Sequence, residues 1–192
     1  MKTIQTTLTT TATYNDDGTK KYLLTKEWDK TKPSLAIVLL APSTASGIEL
    51  DTTTHLVLNN AERLGYGSVS ILNLFAAMDD PSFSTAEEED RENMQVIVEA
   101  AKNCDVLVYA TGNGKAKNEM FQKRSTQVLK QLKPYEKKMK CLSNEDGSVR
   151  MRHPLFPAVR TWYLRDTTVK EAMQIITDAQ QPPLPVGRPK KN

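Results

Sequence analysis

The feature that most constrains this chain is a series of short apolar runs, each closed at its C-terminal end by a polar or breaker-rich turn. The first is LAIVLL at 35–40, halted by Ala41-Pro42 and followed by the hydroxyl residues Ser43, Thr44 and Ser46. A second run at 68–72 ends in Asn73-Leu74-Phe75, and a third at 106–110 enters Thr111-Gly112-Asn113-Gly114. The fourth, near 139–142, opens a loop that carries Arg152-His153-Pro154. Runs this short, rich in aliphatics and bounded by breakers, read as buried strands. Between them lie segments of helical period, at 51–65, 87–103 and 116–133, with a last one at 168–179. Val57, Ala61 and Leu64 mark the inner face of the first helix. Asp51 or a nearby threonine caps it, and Gly65 stops it. Ser84 and Glu87 have capping-box spacing for the second helix. Strands that alternate with helices predict an α/β sandwich around a mostly parallel sheet. Segments 3–14 and 19–28, around Asn15-Asp16-Asp17-Gly18, predict an N-terminal hairpin added to it.

At 192 residues, the chain fits one domain over 1–180, with 1–30 as a hairpin extension. The tail QPPLPVGRPKKN at 181–192 has the composition of a disordered segment. Hydrophobic residues at 39% and charged residues at 26% are those of a globular protein. No apolar stretch approaches the ~20 residues of a membrane helix. The N-terminus lacks the apolar core of a signal peptide, so a cytoplasmic protein is expected. Two cysteines, Cys104 and Cys141, with no CxxC or Cys/His cluster, predict reduced thiols and no metal. No motif calls for a cofactor.

The net charge of +3 is unevenly spread. Residues 1–114 carry nine basic and sixteen acidic side chains, whereas 115–192 carry seventeen and seven. This polarity suits a face that meets a polyanion, with Lys123, Arg124 and Lys130 as candidates. The simpler reading of the asymmetry is a solvated lysine-rich helix followed by a basic tail.

In parallel sheets, ligands bind in the crevice beyond the carboxyl ends of the strands. The proline turn after 35–40 is then one wall of a candidate site. Pro42, Ser43 and Thr44 offer fixed backbone and two hydroxyls for an anion or a base edge, or else simply cap the next helix. The Asn73 amide can read a donor–acceptor pair and Phe75 can stack on a base. Alternatively, Asn73 bonds backbone and Phe75 fills the core. Gly112 and Asn113 allow close backbone approach to a ligand. His153 can donate to a developing anion, with Arg152 as a clamp. His55 reads as a surface residue of its helix. No G-x-S-x-G elbow exists for a hydrolase triad.

These pieces, taken in order, resemble the bacterial and phage domain of unknown function 1643. The matching segments are Lys21-Tyr22-Leu23-Leu24 with Trp28, Ala41-Pro42-Ser43-Thr44-Ala45 and Asp51-Thr52-Thr53. Gly65-Tyr66-Gly67, Asn73-Leu74-Phe75-Ala76, Gly112-Asn113-Gly114 and Arg152-His153-Pro154-Leu155-Phe156 follow. The likeness spans roughly 20–157 and implies no reaction. More distantly, the same order of turns is similar to the uracil-DNA glycosylase superfamily. That likeness implies a first turn that positions water or backbone, an asparagine that reads the base, and a His-Pro loop that stabilises the departing base. Such enzymes flip the base out of the stack. Pro42, Ser43, Asn73, Phe75 and His153 fall at those places. Ala41 stands where the related family carries asparagine, and alanine cannot hold a water. Asp51 and Ser43 are the nearest polar substitutes.

The expected architecture is therefore a three-layer sandwich with four core strands ordered 2-1-3-4, like the glycosylases. The expected partner is a nucleic acid or nucleotide, with N-glycosidic bond hydrolysis as the chemistry. The alternative is a catalytically inactive module that holds nucleic acid in the same cleft, or else a phage or defence interaction module.

Overall fold

The computed structural model describes residues 1–45, 47–78, 90–112 and 115–178. Strands β1 (Thr9–Tyr14), β2 (Lys21–Glu27) and β3 (Ser34–Leu39) precede helix α1 (Thr52–Arg63). Strand β4 (Ser68–Asn73), helix α2 (Arg91–Asn103), strand β5 (Val106–Tyr109) and helix α3 (Glu119–Leu132) follow. Strands β6 (Met139–Ser143) and β7 (Tyr163–Asp166) and helix α4 (Val169–Asp178) complete the fold.

All seven strands form one sheet, in the order β1-β2-β4-β3-β5-β6-β7. The four strands β4, β3, β5 and β6 are mutually parallel. The sheet is thus wider than the four strands expected. The hairpin of β1 and β2 is part of it, because β2 pairs antiparallel with β4 from Leu23↔Leu72 to Glu27↔Ser68. Strand β7, in a stretch to which the sequence assigned no element, pairs antiparallel with β6.

Helices cover both faces. Ala36 and Val38 of β3 face α2, α3 and α4, in a core with Ile97, Phe121, Leu129 and Ala172. Leu35, Ile37 and Leu39 face Val57 and Ala61 of α1, with Val159 and Trp162. Both sides of β3 are covered, which is why the run is continuously apolar rather than alternating. None of residues 35–39 is more than 4% exposed. Each fully buried aliphatic side chain contributes roughly 1.5–3 kcal/mol of transfer free energy.

The loop between β6 and β7 is fastened to α1. The Asn60 side chain accepts from the Trp162 backbone at 2.9 Å and donates to the Arg160 carbonyl at 2.8 Å. Arg63 adds a bond to the Trp162 carbonyl. Helix α2 is capped by Asp90, whose carboxylate accepts from the Asn93 backbone at 2.9 Å. The expected Ser84–Glu87 capping box lies outside the described residues, as does the tail at 181–192.

One member of the expected basic face is misplaced. Arg124 is 1% exposed and points into the fold rather than to solvent. Its Nε donates to the Leu74 carbonyl at 3.0 Å and its guanidinium reaches the Asp90 carbonyl at 3.3 Å. Lys123 and Lys130 of the same helix are exposed. Both cysteines are buried and free. No described helix is long and apolar enough to cross a membrane.

Candidate functional site

A cavity of about 300 Å³ opens beyond the carboxyl ends of β3 and β4. Its lining brings together Pro42, Ser43, Asp51, Asn73 and His153 from four separate segments. Ala41, Leu39 and Ile71 supply apolar wall. The volume is at the lower limit of ligand pockets, which run about 300–1,000 Å³.

The turn after β3 is tied to α1. Asp51 is the N-cap of α1, accepting from the Thr54 backbone at 2.8 Å. The Ser43 hydroxyl donates to the other carboxylate oxygen, and the Thr54 hydroxyl reaches it at 3.2 Å. Burial pushes the Asp51 carboxyl up, but the bonds from Ser43 and Thr54 outweigh it and hold the group below its ordinary value. Asp51 is therefore a carboxylate at neutral pH.

The other face of the turn is gripped by Lys21, a residue with no site role expected from sequence. Lys21 is 4% exposed, and its ammonium donates to the carbonyls of Ser43 at 2.7 Å and Ala45 at 2.8 Å. Burial lowers its pKa, and the Asp51 charge opposes that shift. Lys26, also buried, donates to the Gly47 carbonyl and to the Thr10 hydroxyl. Two lysines of β2 thus hold the loop that shapes the cavity. The spacing of Leu24 and Lys26 along β2 was a signal for Lys26, whereas Lys21 lies outside that alternation, beside the register shift between β1 and β2.

Asn73, the last residue of β4, is 3% exposed. Its Oδ1 is buried without a hydrogen-bond partner among the described residues. An unsatisfied buried acceptor costs about 1–3 kcal/mol, and a ligand that donates to it would remove that cost. The main chain here is pinned from behind. Asn93 of α2 donates to the Asn73 carbonyl at 3.1 Å and to the Leu74 carbonyl at 3.3 Å. Together with Arg124, it fixes where the Asn73 amide sits.

His153 arrives from the β6–β7 loop and lines this cavity and a second one of about 550 Å³. Its Nδ1 accepts from the Leu155 backbone at 3.3 Å, which assigns the ring proton to Nε2 in the neutral form. Burial lowers its pKa, with Asp51 opposing. The ring is neutral at pH 7 and able to donate. Gly112 makes this approach possible. It has φ +73°, and a Cβ there would lie 3.1 Å from His153 Cβ and 3.2 Å from its backbone nitrogen.

Not every expected residue joins the site. Phe75 is 2% exposed in the core against α2 and α3, so its ring is not available to stack on a ligand in this cavity. Thr44 is exposed and lines neither cavity. Arg152 and Gly112 line the second cavity, where the guanidinium lies 4.7 Å over the Phe156 ring. Asn113 lies outside the described residues. His55 is exposed on α1, bonded to Asn59. Among the described residues, no group of three or more His, Cys, Asp or Glu side chains forms a metal cluster.

No curated protein and no solved structure matches the chain. A family model does, over residues 21–155, from the lysine that grips the first turn to the loop that carries His153. That span holds every side chain of the cavity, and the chain belongs to the family described as protein of unknown function (DUF1643).

Proposed function

We propose that this cavity recognises a nucleobase, with the Asn73 amide as the reading group. The observation that carries the proposal is the buried Asn73 Oδ1, without a partner among the described residues, in the wall of a cavity. A side-chain amide matches a paired donor and acceptor on a base edge. The apolar wall of Leu39, Ala41 and Ile71 suits the faces of a flat ring. His153 and Asp51 stand at the same cavity with complementary capacities, one a neutral donor and the other an ionised acceptor. For N-glycosidic hydrolysis, Asp51 takes a proton from water as its oxygen bonds to C1′. The C1′–N bond breaks, and its electron pair leaves with the base, stabilised by the His153 Nε2–H. The products are the free base and the sugar hemiacetal.

The experiment is a calorimetric titration with free bases and nucleosides, alongside an assay for released base. Native protein binds at least one of them saturably, and Asn73→Ala weakens that binding about tenfold, the loss of one or two hydrogen bonds. Absence of saturable binding to every base and nucleoside overturns the proposal.

A second reading, a binding module without chemistry, is favoured by one observation. The Asp51 oxygens already serve Ser43 and the cap of α1, and Ala41 offers no amide for a water. Binding without release of base decides for it.

A further inference from the structure

Strand β2 buries two lysines, and Lys21 lines the base cavity beside Asp51 whereas Lys26 does not. Buried charges are ordinarily paired. Lys21 is 4% exposed, yet no carboxylate among the described residues forms an ion pair with it. Its nitrogen meets two neutral carbonyls instead, Ser43 at 2.7 Å and Ala45 at 2.8 Å. The Tyr14 ring lies 5.7 Å away, and Asp51 acts on it as a charge rather than as a bonded partner. An ammonium has three N–H groups, of which the carbonyls take two. A neutral amine also has two to give, so loss of the third proton keeps both bonds and leaves a lone pair in its place. Burial favours that form, with Asp51 opposing.

We propose that Lys21 is an amine nucleophile that captures the aldehyde form of a sugar in this cavity as a Schiff base. This rests on the base-release reading above, because removal of a base leaves a sugar hemiacetal whose ring-opened form carries an aldehyde at C1′. The nitrogen lone pair bonds to the aldehyde carbon as the C=O π pair moves to oxygen. Two protons pass from nitrogen to that oxygen, which leaves as water while the C=N bond forms. Ammonium and aldehyde thus give iminium and water, with the positive charge kept on nitrogen. A lysine desolvated at a cavity wall is suited to this chemistry.

The test incubates the full chain with 2-deoxyribose, or with a single-stranded oligonucleotide carrying an abasic site, in the presence of cyanoborohydride. The reductant turns C=N into a stable secondary amine, and peptide mass mapping locates it. Label at Lys21 saturates with sugar and forms at least about tenfold faster than at exposed Lys123 and Lys130, because the bound aldehyde is held beside the amine. Lys26, buried outside this cavity, stays unlabelled. Lys21→Arg returns charge and donors to the turn carbonyls and loses the saturable phase, with surface labelling unchanged. Mapping on native protein needs no variant, so a poorly folded Lys21→Arg does not blunt the test. Equal rates for sugar and oligonucleotide assign a free sugar, and a faster oligonucleotide assigns a strand. Label that never saturates, or that spreads evenly over the lysines, overturns the proposal, and saturable binding of free bases then leaves the base reading standing. Saturable label at Lys21 in a protein that binds no base keeps the nucleophile and removes the base reading.

Discussion

The Ser43 hydroxyl donates to the Asp51 carboxylate, whose other oxygen caps α1 through the Thr54 backbone. One side chain thereby couples the turn after β3 to the start of the helix that follows. The coupling makes Asp51 a structural residue as well as a candidate catalytic one, and the two roles separate by pH and by substitution.

Asp51→Asn keeps an amide oxygen for the cap but removes the charge at the helix N-terminus. A stability loss of about 0.5–1 kcal/mol is expected at pH 7. The folded carboxyl titrates below its unfolded value of 3.8, so its contribution is complete above that value and disappears as pH falls through the lower, folded pKa. Urea midpoints of native and Asp51→Asn protein should therefore differ at neutral pH and converge in acid. A constant difference down to pH 2 would refute the assignment.

His153 has the opposite charge type with the same direction of shift. Burial lowers its folded pKa below 6.5, so the folded chain binds fewer protons than the unfolded chain across that interval. Stability is intact above pH 6.5 and declines as pH drops toward the folded pKa. Replacing His153 with glutamine should flatten that part of a melting-temperature profile. Nuclear magnetic resonance of the ring protons gives the pKa directly, and a value above 6.5 would contradict the burial.

Arg124 distinguishes a surface from a core role. It donates to the carbonyls of Leu74 and Asp90 in a buried setting. Charge-assisted bonds of this kind contribute about 1.5–3 kcal/mol, so Arg124→Gln should lower stability by that order. Lys123→Gln on the exposed side of the same helix should change stability by no more than about 0.5 kcal/mol. Equal, small effects from both substitutions would return Arg124 to the solvent face. Nucleic-acid binding that falls steeply with salt in the native protein, and that is weaker and less salt-dependent after Lys123→Glu with Lys130→Glu, tests that face separately.

The parts of this fold that were legible share one property: a local pattern carries them. The aliphatic run at 35–40 and its proline stop mark β3, and the Asp-Thr-Thr segment marks the cap of α1. Strand ends in a parallel sheet gather on one side, which is why Ser43, Asn73 and His153 meet although they are far apart in the chain. Strand β7 was not legible because Tyr163–Asp166 is short and largely exposed, held only by its pairing with β6. Phe75 stayed open between stacking and core because its direction depends on helices α2 and α3, which no local pattern encodes. Arg124 was misread because it stands among lysines that do face solvent. Lys21 was missed because an inward lysine is recognised only once the carbonyls it serves are in view.

Gly112 tests the placement of His153 without touching it. Alanine there meets a positive φ and contacts near 3.1 Å with the histidine. The backbone strain costs about 1–2 kcal/mol, and the loop at 152–156 must shift to relieve the contacts. Gly112→Ala should fold, melt lower and lose affinity for a base in the first cavity, because His153 lines that cavity. Unchanged affinity in a destabilised protein would show that His153 does not contribute to binding.

Ala41 offers the sharpest test of chemistry. It lines the cavity beside Pro42 and Ser43 but brings no polar atom of its side chain. If water attacks a glycosidic bond here, Asp51 must position it alone while also serving Ser43 and the helix cap. An amide at position 41 would supply a second anchor for the water, and Ala41→Asn should raise base release. Groups that position or transfer protons contribute ~10²–10⁴-fold, so even a slow native rate should rise measurably. His153→Ala should lower the same rate by a comparable factor, since it removes the donor to the departing base. Free base released from uracil-, hypoxanthine- and modified-base DNA, and from nucleosides, gives the readout. No release from native protein or from Ala41→Asn, with ligand binding retained in both, would leave the cavity as a site of recognition alone.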